Sequence, residues 1–136
     1  LFEVPIMSDF SLQATSRTPA IHLNTADMTL VISGESYPED VRQFYTTINE
    51  QLAVYFTTKP ERLDVAIKLT YFNSGSARAL MELLDQLDEA AEKGVKIIVN
   101  WYCDPDDDIT REFAEDIAAD IRATSVNILD LDGDPD

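Results

Sequence analysis

The chain has 136 residues, 45% of them hydrophobic, with one cysteine, one histidine and a formal charge of −16. Those figures suit one compact globular domain and argue against a disordered chain. The acidic balance argues against nucleic acid and anionic membranes, which want a basic patch, and lone Cys103 and His22 argue against a disulfide, a thiolate-built metal site or a multi-histidine site.

Residues 1–6 read as an extraneous leader ahead of Met7, which leaves 7–136 as a single domain. No apolar run reaches membrane-spanning length and no export signal is visible, so the expected compartment is the cytoplasm. Residues 7–19 are polar and read as a loose lead-in. Residues 20–23 and 28–33 read as short strands around a hairpin loop at Asn24-Thr25-Ala26-Asp27. Gly34-Glu35-Ser36-Tyr37-Pro38 breaks the pattern, and Ser36 or Tyr37 followed by Pro38 is expected to open a helix. Its apolar stripe is Val41, Phe44, Tyr45, Ile48, Leu52 and Tyr55, and Pro60 ends it.

A central strand is expected over 64–72. A second helix follows, with Leu80, Leu83, Leu84, Leu87 and Ala91 on one face and Lys93-Gly94 as its stop. Residues 95–102 are almost continuously apolar and suit a strand buried on both faces. Asp104-Pro105-Asp106-Asp107-Asp108 reads as a turn and helix start, and Ile109, Phe113, Ile117 and Ile121 as the apolar stripe of a third helix. Residues 125–129 read as a last short strand, and 130–136 as an acidic, mobile tail. Two strands followed by helix–strand–helix–strand–helix predict an α/β fold: a mixed sheet with a parallel centre and about three helices.

The most informative segment is the turn Asn73-Ser74-Gly75-Ser76 between the central strand and the second helix. It sets a hydroxyl at a helix N-terminus, where backbone N–H groups lack partners and a phosphate is well placed. Ser74 reads either as a helix N-cap or as a phosphoacceptor, and Ser76 competes for both roles. Gly75 leaves the turn open to another protein's backbone. No G-x-S-x-G elbow is present, which argues against serine hydrolase chemistry.

Asp104, Asp106, Asp107 and Asp108 read as helix-dipole complements or as ligands for a hard cation such as Mg²⁺ or Ca²⁺ in a small metal-dependent enzyme. Tyr37-Pro38-Glu39 reads as a helix start or a surface loop near the Ser74 turn. His22 reads as a partly buried strand histidine. Cys103 lies among acids that disfavour its thiolate, and it reads as structural.

Four segments together resemble the SiaC-like family of bacterial phosphoproteins: Thr18-Pro19-Ala20-Ile21, Gly34-Glu35-Ser36-Tyr37-Pro38-Glu39, Leu69-Thr70-Tyr71-Phe72-Asn73-Ser74-Gly75-Ser76 and Val99-Asn100-Trp101-Tyr102-Cys103-Asp104-Pro105-Asp106. The resemblance spans residues 18–121 and implies a STAS-like partner-switching domain with no enzymatic activity and no cofactor. It implies a Ser/Thr kinase that phosphorylates the turn and a PP2C-type phosphatase that reverses it. It also implies an unphosphorylated form that binds and activates a diguanylate cyclase, with cyclic-di-GMP and biofilm growth downstream. By position Ser74 matches the acceptor, with Ser76 as the alternative. Asn73, Ser74, Gly75, Ser76, Arg78 and Tyr37 are the expected partner contacts. A phosphate there would repel an acidic partner and desolvate poorly in an apolar interface. A constitutive scaffold domain is the remaining alternative.

Overall fold

The computed structural model describes residues 9–131. Residues 1–8, which include the leader read over 1–6, and 132–136, most of the tail read over 130–136, lie outside the described residues. The elements are β1 (Phe10–Leu12), β2 (Ala20–Asn24), β3 (Thr29–Ser36), α1 (Val41–Thr57), β4 (Arg62–Phe72), α2 (Ser74–Glu92), β5 (Lys96–Cys103), α3 (Asp108–Asp120) and β6 (Ser125–Asp130). They build one 6-stranded sheet in sequential order, β1 to β6. β1–β2 and β2–β3 pair antiparallel, while β3–β4, β4–β5 and β5–β6 pair parallel. The mixed sheet with a parallel centre and three helices agrees with the sequence pattern.

Each parallel pair is joined through a helix, and each crossover steps the same way along the sheet. Right-handed crossovers then carry α1, α2 and α3 to the same face. Burial follows this. Ile21, Leu23, Leu30, Ile32, Leu63, Val65, Ile67, Leu69, Ile97, Val99, Trp101 and Cys103 form one core with Tyr45, Ile48, Leu52, Leu80, Leu83, Leu84 and Leu87. The alternate residues Ile98, Asn100 and Tyr102 are only partly covered. β5 is therefore buried on one face, not the two its apolar run suggested. Among the described residues, no helix is long and apolar enough to cross a membrane.

Several local details depart from the sequence pattern. The lead-in contains β1, whose Ser11 pairs with His22 and bonds its Nδ1 at 2.6 Å. His22 lies on the uncovered phase of β2 and is exposed, not part-buried. β3 runs on through Gly34 to Ser36, so neither Ser36 nor Tyr37 opens α1. Asp40 caps that helix by accepting from the Gln43 N–H at 3.0 Å. Asp130 ends β6, opposite Cys103, and pairs with Arg111 at 2.6 Å.

Asp88 of α2 is only 8% exposed. Its carboxylate accepts from the backbone N–H of Arg122, Ala123 and Thr124 and from the Thr124 hydroxyl. It thereby ties α2 to the loop between α3 and β6. Burial pushes its pKa up, but those four bonds to the charged form together outweigh burial and hold it below the usual carboxylate value.

Candidate functional site

A β-bulge aims the chain at the turn. Gly34 pairs with Leu69, but Glu35 pairs with Tyr71, so Thr70 is an extra residue on β4. Gly34 stands at φ +115, a backbone conformation natural to glycine. One inserted residue reverses which face each following side chain meets. Phe72 therefore turns toward the helices, 5.3 Å from the Phe113 ring centroid. Tyr71 turns outward and is 52% exposed. The strand then delivers Asn73 and Ser74 at the carboxyl edge of the parallel strands, where open α/β sheets place their binding sites.

The helix cap is Asn73, not Ser74. Asn73 is extended, and its side chain accepts from the Ser76 N–H at 2.9 Å. Ser74 is the first residue of α2, is exposed, and its hydroxyl makes no hydrogen bond within the described residues. Ser76 is the opposite case. It is 0% exposed and accepts a 2.8 Å hydrogen bond from Ser36, itself 0% exposed. Ser36 lies 2.7 Å from the Tyr45 hydroxyl. A serine hydroxyl has one proton to give; since Ser36 gives its proton to Ser76, Tyr45 donates to Ser36. Burial raises the Tyr45 pKa and keeps that donor protonated. The Ser36 carbonyl also accepts from the Asn73 N–H at 3.2 Å. Ser36, Tyr45 and Ser76 thus form a buried hydroxyl chain that clamps the start of α2, with Ser74 left outside it.

Gly75 is half-buried beside α1. A Cβ there would meet Val41 of α1 at 3.5 Å, an ordinary contact. The Tyr37 loop does reach the turn, with the Tyr37 ring edge-on to Tyr71 at 5.7 Å. Arg78 is exposed one helical turn beyond Ser74, and both line a shallow depression with Ala77, Met81, Glu82 and Asp85.

Ile109 is where the expected core stripe of α3 fails. Ile117 is buried and Phe113 packs against the core, but Ile109 is 84% exposed. It lines a cavity of about 360 Å³ together with Tyr71, Phe72, Ser74, Ala77 and Phe113. Three of the five large hydrophobic side chains exposed among the described residues, Tyr71, Met81 and Ile109, therefore surround the Ser74 turn. Periodicity alone assigned Ile109 to the core. Its place in the first turn of α3, after four acids and a proline, was the available signal that it would overhang the sheet edge.

The acid run does local work. Asp104 accepts from the Asp106 N–H at 2.9 Å. Asp107 caps α3, accepting from the Thr110 N–H at 3.0 Å and from the Thr110 hydroxyl. The hydroxyl bond is the main cause of its lowered pKa. Among the described residues, no three His, Cys, Asp or Glu side chains are gathered to hold a metal ion. Cys103 is buried, and burial raises its pKa, so it remains a thiol. Trp101 is in the core, and Tyr102 lies on the uncovered face beneath the Lys68 ammonium, 5.1 Å from its ring centroid.

Fold and site together define a small mixed α/β protein whose distinctive surface is an apolar ring around an exposed serine. The model of the SiaC family of regulatory phosphoproteins matches residues 12–131, and the chain belongs to that family. It is 29% identical over 114 residues to an uncharacterized protein of Pseudomonas aeruginosa strain UCBPP-PA14, covering 84% of this chain and 90% of that one. Among solved structures it is similar to apo-SiaC of Pseudomonas aeruginosa, with a TM-score of 0.83 and 28% identity over 90% of this chain and 99% of that one. It is also similar to a chain in the complex of the diguanylate cyclase SiaD with its activator SiaC, from the same organism. There the TM-score is 0.80 and the identity 26%, over 88% of this chain and 99% of that one.

Proposed function

We propose that this protein is a non-enzymatic cytoplasmic regulator controlled by reversible phosphorylation of Ser74. Its unphosphorylated form binds and activates an output protein, a diguanylate cyclase; a Ser/Thr kinase adds the phosphate and a PP2C-type phosphatase removes it. The carrying observation is the contrast within one turn. The Ser74 hydroxyl is exposed and unbonded, whereas Ser76 is fully buried in a hydrogen-bonded chain. A kinase can reach the first without opening the fold, and removal of the first hydroxyl breaks no hydrogen bond among the described residues. The family's character as regulatory phosphoproteins supports the reading, as does the SiaD complex of its structural relative.

Phosphate adds about −1.5 to −2 charges and three acceptor oxygens. On the first residue of α2 it meets the positive end of the helix dipole, and Arg78 at i+4 stands in reach of it. Tyr37, Tyr71 and Met81 supply the contact surface around it. A hydrated dianion in their midst opposes an apolar interface, because its water must be stripped away.

Intact-mass measurement and peptide mapping of protein from its native host, with phosphatase inhibitors present, test the assignment. Phosphate on Ser74 is expected. Phosphate on Ser76, or none under several growth conditions, overturns it. Ser74→Ala is expected to bind a cognate diguanylate cyclase constitutively and Ser74→Asp to bind it weakly; equal affinities would refute the switch.

A further inference from the structure

We infer that the cleft between the first turns of α2 and α3 is the receptor for a large apolar side chain carried on a basic segment of the partner, with Ile109 as its outer wall. This deepens the reading of Ser74 as a switch and rests on it for the partner's identity. Part of the cleft wall is apolar: Phe72 and Phe113 lie in ring contact and Ala77 adds no polar atom, while Thr70, Asn73, Asp107 and Thr110 give it polar edges. Its volume, about 360 Å³, has room for one or two large side chains. Single exposed apolar residues are ordinary on protein surfaces. Here, though, Ile109 at 84% and Tyr71 at 52% share one cavity, and Met81 at 47% lines the depression next to it. Covering such a cluster removes apolar surface from water, the main favourable term in association.

Charge around the cleft determines the charge of the visitor. Asp107 lines the cleft itself, Glu82 and Asp85 line the adjoining depression on α2, and Asp106, Asp108 and Glu112, beside Asp107, Ile109 and Phe113 in the chain, are exposed. Arg78 is the cation among them, and the chain as a whole carries −16. An acidic segment would meet repulsion on both banks; a basic one is steered in. The phosphate on Ser74 therefore does not act by repelling the partner at a distance. It acts locally, because Ser74 lines the cleft and a hydrated phosphate occupies the space that the apolar side chain needs.

The probe is a synthetic amphipathic Leu/Lys peptide titrated into isotope-labelled full-length protein, with amide shifts followed by NMR. A Leu→Ala analogue and a Leu/Glu analogue serve as controls. Shifts at Ser74, Ala77, Ile109 and Thr110 are expected with the Leu/Lys peptide alone. Ile109→Ser, at an exposed position that leaves the fold intact, is expected to weaken binding by about tenfold or more, and Ile109→Leu to retain it. No binding, shifts mapping elsewhere, equal binding of the Ala or Glu analogue, or an unchanged affinity in Ile109→Ser overturns the inference. A phosphoserine form at position 74 separates the two readings. If the peptide seats in the cleft equally well with phosphate present, the docking surface stands and the switch fails. If phosphate governs cyclase binding but the peptide never maps to the cleft, the switch stands and this inference fails.

Discussion

Asn73→Ala and Ser74→Ala alter adjacent polar residues of one turn, and the hydrogen bonding gives them opposite consequences. Asn73 accepts from the Ser76 N–H and thereby satisfies one orphan donor of α2, whereas Ser74 supplies no bond. Loss of an N-cap side chain to alanine costs about 0.5–2 kcal/mol. For a domain between about 100 and 150 residues, each kcal/mol shifts Tm by about 3–5 °C, so Asn73→Ala should melt about 1.5–10 °C lower. An exposed side chain outside any such feature is worth within about 0.5 kcal/mol, so Ser74→Ala should melt within about 2 °C of the parent. Urea unfolding of the three proteins, followed by far-UV circular dichroism and fitted with a common slope, measures both differences. If Ser74→Ala loses as much stability as Asn73→Ala, then Ser74 is a cap and its hydroxyl is not free for phosphorylation.

Ser76→Ala should cost about 1–3 kcal/mol, because Ser36 loses a buried acceptor. A double-mutant cycle with Ser36→Ala should show clear non-additivity in thermal melts; additive losses would argue against the buried hydroxyl chain. Asp88→Ala should cost about 2–5 kcal/mol, since three backbone N–H groups and one hydroxyl lose their acceptor. Because the folded pKa of Asp88 is depressed, the unfolded chain binds its proton first. That stability is present above about pH 4 and is lost as pH falls through the folded value. Stability measured from pH 6 down to pH 2 should therefore fall less steeply in Asp88→Asn than in the parent. Gly75→Ala should stabilise α2 by about 0.5–1 kcal/mol, because a Cβ meets Val41 at an ordinary 3.5 Å. A lower melting temperature would contradict that packing.

The regular elements were legible because helix and strand periods are local properties. The stripe Tyr45, Ile48, Leu52 and Tyr55 and the stripe Leu80, Leu83, Leu84 and Leu87 are buried where their 3.6-residue period places them. Gly94 ends α2 at φ +115, as a residue that tolerates the left-handed region should. The strand-to-helix turn at Asn73-Ser74-Gly75-Ser76 was equally visible, since turn chemistry is written in neighbouring residues.

What the sequence could not decide was which member of that turn faces inward. That choice depends on Ser36, 40 positions away in the chain, whose hydroxyl claims Ser76 and whose carbonyl holds Asn73. It depends also on one extra residue, Thr70, that turns Tyr71 out and Phe72 in. Ile109 was misread for the same reason: its period is that of a core residue, but α3 begins beyond the sheet edge, where nothing lies over it. Sequence by itself determined the α/β alternation, the helix stripes and the presence of a hydroxyl-bearing turn, because each follows from contacts within a few residues. Only the tertiary structure decided that Ser74 stands free, that Ser76 is sealed, and that Tyr71, Met81 and Ile109 ring the turn, because those outcomes are set by register and packing between distant segments.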